Sequence, residues 1–93
     1  MNRAACRQRV RAQAFARYGL EIGKRVRQDL IHRVHNGDVK YARMLTHSRT
    51  VIVLDHHGTE ITFLYSSAHR EIISFLAADA VETAEWRGAQ GTP

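Results

Sequence analysis

The feature that most constrains the fold is a change of hydrophobic period at Gly37. Before it, Ile22, Val26, Leu30 and Val34 recur every four residues, a spacing that places apolar side chains on one face of an α-helix. After it, apolar and polar residues alternate, and many of the apolar ones are β-branched or aromatic, which is typical of strands. A chain of 93 residues is too short for two domains with separate cores. The sequence therefore predicts one domain in which helices precede strands.

Two helices are predicted before Gly37. The first runs from about Asn2 to Tyr18, and Gly19 supplies a left-handed stop; the second ends near His35. The first helix is predicted to be amphipathic, with an arginine ridge opposite an apolar arc. The apolar arc comprises Ala4, Ala5, Ala12, Phe15 and Ala16, and the ridge comprises Arg3, Arg7, Arg11 and Arg17.

Strands are predicted after Gly37, with short loops at 56–59 and 66–69 that indicate an antiparallel meander. The run Val51 to Leu54 is apolar on both faces, as in a central strand. The four candidate strands are Tyr41 to Leu45, Thr50 to Asp55, Glu60 to Tyr65 and Glu71 to Leu76.

The C-terminal part of the sequence predicts a short acidic helix from Ala77 to Trp86 and a mobile tail over 87–93. The expected architecture is α+β, with two N-terminal helices packed on a three- or four-stranded antiparallel sheet and a short C-terminal helix. The domain is expected to span residues 1–86.

Positive charge is concentrated in the first half of the chain. Residues 1–49 contain twelve Lys and Arg against three acids, a net charge of +9, whereas residues 50–93 have a net charge of −4. Ten of those twelve cations are arginines, whose planar guanidinium groups suit bidentate contacts with phosphate. This distribution favours a nucleic-acid or other anionic partner. The residues predicted to contact nucleic acid are Arg3, Arg7, Arg11, Arg17, Arg25 and Arg27.

The remaining composition narrows the class of protein. A single cysteine, Cys6, cannot form an intramolecular disulfide, which argues against a disulfide scaffold and favours the reducing cytosol. The longest aliphatic run has four residues, from Val51 to Leu54, whereas a membrane span needs about 20 apolar residues. We therefore expect a cytoplasmic protein with no membrane partner; its oligomeric state is not predicted.

Several short motifs resemble small phage and prophage proteins of uncharacterised role, over roughly Arg9 to Leu76. This chain departs from that pattern at Arg9, where the pattern has a histidine, and at Ser66, where it has an aspartate. The arrangement of elements is also similar to that of RelE-type and colicin-type ribonucleases, which implies metal-free RNA cleavage on a fold of helices and antiparallel sheet. The motifs are Arg17-Tyr18-Gly19, Ser48-Arg49-Thr50, Phe63-Leu64-Tyr65 and Ile72-Ile73-Ser74-Phe75-Leu76.

Residues suited to such chemistry follow the predicted strands. A metal-free ribonuclease needs a base for the 2′-hydroxyl proton, an acid for the leaving oxygen and cations for the phosphorane charge. The simpler interpretation of Tyr65 is a core aromatic in phase with Ile61 and Phe63, and that of His69 is a polar turn. The candidate catalytic residues are Tyr65, His69, Arg70, Glu71, His47 and Arg49.

No metal or other cofactor is predicted. Asp55-His56-His57 resembles the metal-binding triplet of DHH phosphoesterases, but it falls in a hairpin loop and lacks the further aspartates of a two-metal site. His32 and His35 lie one helical turn apart without a third ligand at a suitable spacing.

Together these observations predict a small phage-type or mobile-element-type protein that binds nucleic acid, RNA rather than DNA, with metal-independent RelE-like ribonuclease activity left open. If the chain is phage-encoded, the host cytosol is its expected location. The alternative is a non-catalytic inhibitor that binds a host nucleoprotein or defence complex by protein contact, as anti-CRISPR proteins do. A DNA-binding accessory protein is a third hypothesis, although no helix-turn-helix spacing supports it strongly.

Overall fold

The computed structural model describes residues 3–77 and confirms the expected α+β architecture. Two helices pack against a four-stranded antiparallel sheet whose strands lie side by side in chain order. The predicted C-terminal helix and tail, and with them the boundary at residue 86, lie outside the described residues. The elements are α1 (Arg3–Tyr18), α2 (Lys24–His35), β1 (Tyr41–Thr46), β2 (Arg49–His56), β3 (Thr59–Ser66) and β4 (Glu71–Leu76).

Residues with positive φ lie in four of the chain reversals, including Arg70, with φ of 52°, in the turn between β3 and β4. Gly19 has φ of 62° where α1 ends, and Gly37 has φ of 72° in the turn after α2, a conformation that costs glycine little. The β2–β3 hairpin turns through His57 and Gly58, with φ of 50° and 83°. Two successive residues with positive φ are the mark of a two-residue type I′ turn, whose twist matches that of the flanking strands.

Strand β2 occupies the centre of the sheet, as its apolar run predicts. Ile52 and Leu54 lie on the face covered by the helices, and Val51 and Val53 lie on the opposite face; all four are at most 2% exposed. Cross-strand partners continue these rows, so that Phe63 pairs with both Ile52 and Phe75.

The second helix packs as its four-residue spacing predicts. Leu30 is completely buried and Ile22, which precedes the helix, is 5% exposed, while Val26 and Val34 are partly buried against the same core. The side chain of Arg33 also reaches β2, where it donates a 2.7 Å hydrogen bond to the carbonyl oxygen of Asp55.

The predicted apolar arc of the first helix is not its packed face. All five residues of that arc are exposed, Phe15 by 61%, whereas Cys6, Val10 and Ala14 are buried against the sheet. The packed face also carries Tyr18, which packs against the same core, and Gln13, which bonds the backbone of β4.

Polar contacts fix α1 along β4. The side-chain oxygen of Gln13 accepts hydrogen bonds from the backbone N–H of Phe75 at 3.0 Å and from the hydroxyl of Ser74 at 3.3 Å. At the end of the helix, the Tyr18 hydroxyl donates to the carbonyl oxygen of Leu76 and accepts from the N–H of Thr62. The hydroxyl thereby satisfies backbone groups of two adjacent strands and holds the helix in one register.

Within the described part of the chain, neither helix combines the length and the apolar character needed to cross a membrane.

Candidate nucleic-acid interface

A cleft between α1 and the start of α2 collects basic side chains around an apolar floor. Val10, Ile22 and Ile72 form the floor, and each is at most 5% exposed. The cleft has a volume of about 140 Å³, well above the roughly 10–15 Å³ that one water molecule needs. None of the described residues that line it is acidic. The cations around it are Arg7, Arg11, Lys24 and Arg27.

Local sequence spacing explains why these four cations meet. Arg7 and Arg11 lie one turn apart on α1, and Lys24 and Arg27 are three residues apart on α2, so each pair shares a helix face. The reversal at Gly19 brings the start of α2 across the cleft from Arg7 and Arg11. Gly23 precedes α2 and provides no side-chain cap, so the partial positive charge of this helix end adds to that of the side chains.

One of the four cations has an acidic partner outside the cleft. Arg7 contacts the carboxylate of Glu71, with both its Nε and a terminal nitrogen 3.0 Å from Oε1. The Glu71 side chain is only 9% exposed, whereas that of Arg7 is 45% exposed. Arg7 therefore anchors α1 to β4. Within residues 3–77, Arg11, Lys24 and Arg27 carry most of the uncompensated charge of the cleft.

The other predicted nucleic-acid contacts lie elsewhere or are not described. Arg17 and Arg25 are exposed but do not line the cleft, and nothing is described of the Arg3 side chain. Lys24 was not among the predicted contacts, although its spacing from Arg27 was a signal for it. Arg9 lies on the β4 side of α1, where it donates to the carbonyl oxygen of Ile73 at 3.4 Å.

The predicted catalytic residues lie around one end of the sheet. The β1–β2 turn and the β3–β4 turn are adjacent there, joined by a 2.9 Å hydrogen bond from the N–H of Ser67 to the carbonyl oxygen of Ser48. His47, His69 and Arg70 are exposed in these turns. Arg49 and Glu71 pair with the same residue of β3, Ser66, so their side chains start from one face of the sheet.

Tyr65 lies on the other face, among the helices. It is 4% exposed, and its hydroxyl shares a 2.6 Å hydrogen bond with Nε2 of His35. Burial raises the pKa of the Tyr65 hydroxyl, against the opposing effect of the positive charge of Arg70. The structure therefore adds His35 at this end, a contact that the sequence spacing could not indicate, and separates Tyr65 from Arg49 and Glu71.

The histidines of the β2–β3 hairpin lie at the opposite end of the sheet. Burial lowers the pKa of His56; the neighbouring His57 and, less strongly, Arg33 act in the same direction, while Asp29 opposes them. The ring centroids of His56 and His57 are 4.3 Å apart. Among residues 3–77, no group of three His, Cys, Asp or Glu side chains is arranged to hold a metal ion.

No protein-family model matches this chain, and no curated protein or solved structure matches it either.

Proposed function

We propose that this protein binds nucleic acid, with RNA as the first target, and that the cleft between α1 and α2 is its phosphate site. The observation that carries the proposal is the convergence of Arg7, Arg11, Lys24 and Arg27 on one cleft whose described lining contains no acid. Like charges are costly to gather unless an anion can neutralise them. The similarity of the arrangement of elements to that of RelE-type and colicin-type ribonucleases favours RNA over DNA.

The distribution of ion pairs supports the same site. Arg33 and Lys40 are paired with Asp38 and Glu60, at 3.0 Å and 3.4 Å respectively, so part of the positive charge of the first half is compensated within the fold. Arg11 is exposed at the edge of the cleft. A polyanion therefore meets several positive charges together at the cleft, with no acidic residue in its described lining.

The test compares two double variants that each remove two arginines. Arg11→Ala with Arg27→Ala removes two of the four cations of the cleft, while Arg17→Ala with Arg25→Ala removes two exposed arginines outside it. Each phosphate contact contributes about 0.7 to the slope of log K against log salt for a single strand, so the cleft variant should lower that slope by roughly 1 to 1.5 and the control by much less. Fluorescence anisotropy with a labelled RNA oligonucleotide, titrated at several salt concentrations, measures both.

Two outcomes contradict the proposal. A larger effect of the control variant would move the binding site away from the cleft. Absence of salt-dependent binding by the wild-type protein would exclude the function, and capture of a host protein complex that survives nuclease treatment would favour the inhibitor hypothesis instead. Circular dichroism of each variant verifies that the fold is intact.

RNA cleavage at the sheet end is a second candidate function, supported by the hydrogen bond between Ser67 and Ser48 that joins the two polar turns. If this end cuts RNA without a metal, His69→Ala should lower the single-turnover rate by about 10²- to 10⁴-fold, as for loss of a general acid or base. His32→Ala, which alters an exposed histidine of α2, is the control. A chelator should have no effect, and the matched DNA should remain intact because it lacks the 2′-hydroxyl.

The substrates for this assay are single-stranded, structured and ribosome-bound RNA, because a site that its target completes is active only on that target. Cyclic phosphate ends on the products would identify attack by the 2′-hydroxyl. If the wild-type protein leaves all three RNAs intact, the cleavage hypothesis is excluded and binding remains as the function.

A further inference from the structure

Phe15 is an aromatic side chain left open on the surface beside the basic cleft. It is 61% exposed and lines a shallow depression on α1 together with Ala12 and Glu21. Gln8 and Arg11 line both this depression and the basic cleft, so the two sites are contiguous. The contiguity of an exposed aromatic ring and a cationic cleft suits a ligand with both an anionic and a flat apolar part.

We propose that the ligand is a single-stranded polynucleotide, with phosphates in the cleft and one base stacked on the ring of Phe15. This inference rests on the proposed nucleic-acid function and names its substrate class. Single-strand binding sites combine a positively charged groove with aromatic rings on which bases stack. In a duplex the base faces are covered by their neighbours, and therefore only a single strand, a loop or an end can use the ring.

The geometry of α1 fits this division of labour. Arg11 and Phe15 are four residues apart on one helix, which separates them by about 6 Å along the axis and places them on the same face. The neighbour Ala12 is small and exposed, so it leaves room for a base next to the ring. Glu21 also lines the depression, and its carboxylate repels phosphate there, which favours the side of Arg11 for the backbone of the strand.

The test uses three variants of Phe15 and three ligands of equal length. Phe15→Ala and Phe15→Leu remove the aromatic face, whereas Phe15→Trp keeps it. The ligands are a single-stranded oligonucleotide, the same oligonucleotide with abasic sites throughout, and a duplex. A stacked base is worth about a 5- to 150-fold change in affinity.

We expect Phe15→Ala and Phe15→Leu to weaken binding of the base-containing single strand by a factor in that range, and Phe15→Trp to retain it. Binding of the abasic strand and of the duplex should be unchanged by all three variants. Parallel measurements with RNA and DNA single strands should show the same dependence on Phe15, and any difference between them reports contacts to the 2′-hydroxyl.

The two failures are distinguishable. If Phe15→Ala binds the single strand as tightly as the wild type while the Arg11 and Arg27 variant still loses affinity, the stacking inference is wrong and the proposed function stands. If neither the base-containing nor the abasic strand binds in a salt-dependent manner, the proposed function itself is wrong. If Phe15→Ala lost affinity equally for the base-containing and the abasic strand, the stacking inference would also be wrong.

Discussion

Replacement of Leu30 by alanine is expected to lower the free energy of unfolding by about 2 to 5 kcal/mol. Leu30 is completely buried at the middle of α2, where it packs within the core between the helices and the sheet. Its removal deletes apolar contacts and leaves a cavity that the surrounding strands can fill only in part. A small domain is stable by only about 5 to 15 kcal/mol, so this one substitution removes a large share of its stability.

The matched control is His32→Ala, two residues further along the same helix. His32 is exposed, and its Nε2 lies 3.4 Å from Nδ2 of Asn36, a long and therefore weak hydrogen bond. Its substitution should therefore change stability by no more than about 0.5 kcal/mol. Urea denaturation followed by circular dichroism measures both variants. Equal midpoints for the two proteins would show that α2 does not pack through the Leu30 face.

The contrast between the two helices shows what a hydrophobic pattern can predict. In α2, Val26, Leu30 and Val34 are large and equally spaced, so only one face can bury substantial apolar area, and the predicted phase is correct. In α1, the predicted arc contained more apolar residues, but four of its five members are alanines. Apolar area alone therefore does not select one face of α1, and the polar contacts of Arg9 and Gln13 with β4 help to position the helix.

The sheet was predictable in its topology and less so in its faces. In a four-stranded meander, the first and third turns lie at the same end of the sheet. The turns that hold His47 and His69 are therefore adjacent. Which side chains share a face also depends on register. The irregularity in the β3–β4 pairing between Leu64 and Tyr65 changes the alternation along β4, and no sequence motif indicated its position.

The basic character of the interface was likewise predictable, whereas the membership of the cleft was not. An arginine on a helix has a known face only after the helix phase is known, and the phase of α1 was wrong. The contact of Arg7 with Glu71 joins residues 64 positions apart. Only the packing of α1 on β4 creates it, and it pairs Arg7 with an acid even though Arg7 lines the same cleft as Arg11.

Arg7→Ala is therefore expected to act on stability more than on binding. Without Arg7, the carboxylate of Glu71 remains almost buried with no cation beside it, which should cost about 1 to 2 kcal/mol in the free energy of unfolding, less than for a fully buried pair because Arg7 is half exposed. Arg11→Ala removes an exposed side chain for which no such partner is seen in the described part of the fold, so its stability should stay within about 0.5 kcal/mol of the wild type.

Binding should show the reverse order of effects. Glu71 already neutralises much of the charge of Arg7, so Arg7→Ala should reduce the salt slope of RNA binding by much less than the roughly 0.7 expected for Arg11→Ala. The double variant Arg7→Ala with Glu71→Gln should regain part of the lost stability, since it leaves no unpaired charge on β4. If Arg7→Ala instead matched Arg11→Ala in both stability and salt slope, Arg7 would belong to the phosphate site and not to the anchor of α1. Urea denaturation and salt-dependent anisotropy on the same three proteins decide between these roles. Loss of an anchor mainly lowers the free energy of unfolding, whereas loss of a phosphate contact mainly lowers the salt slope of binding.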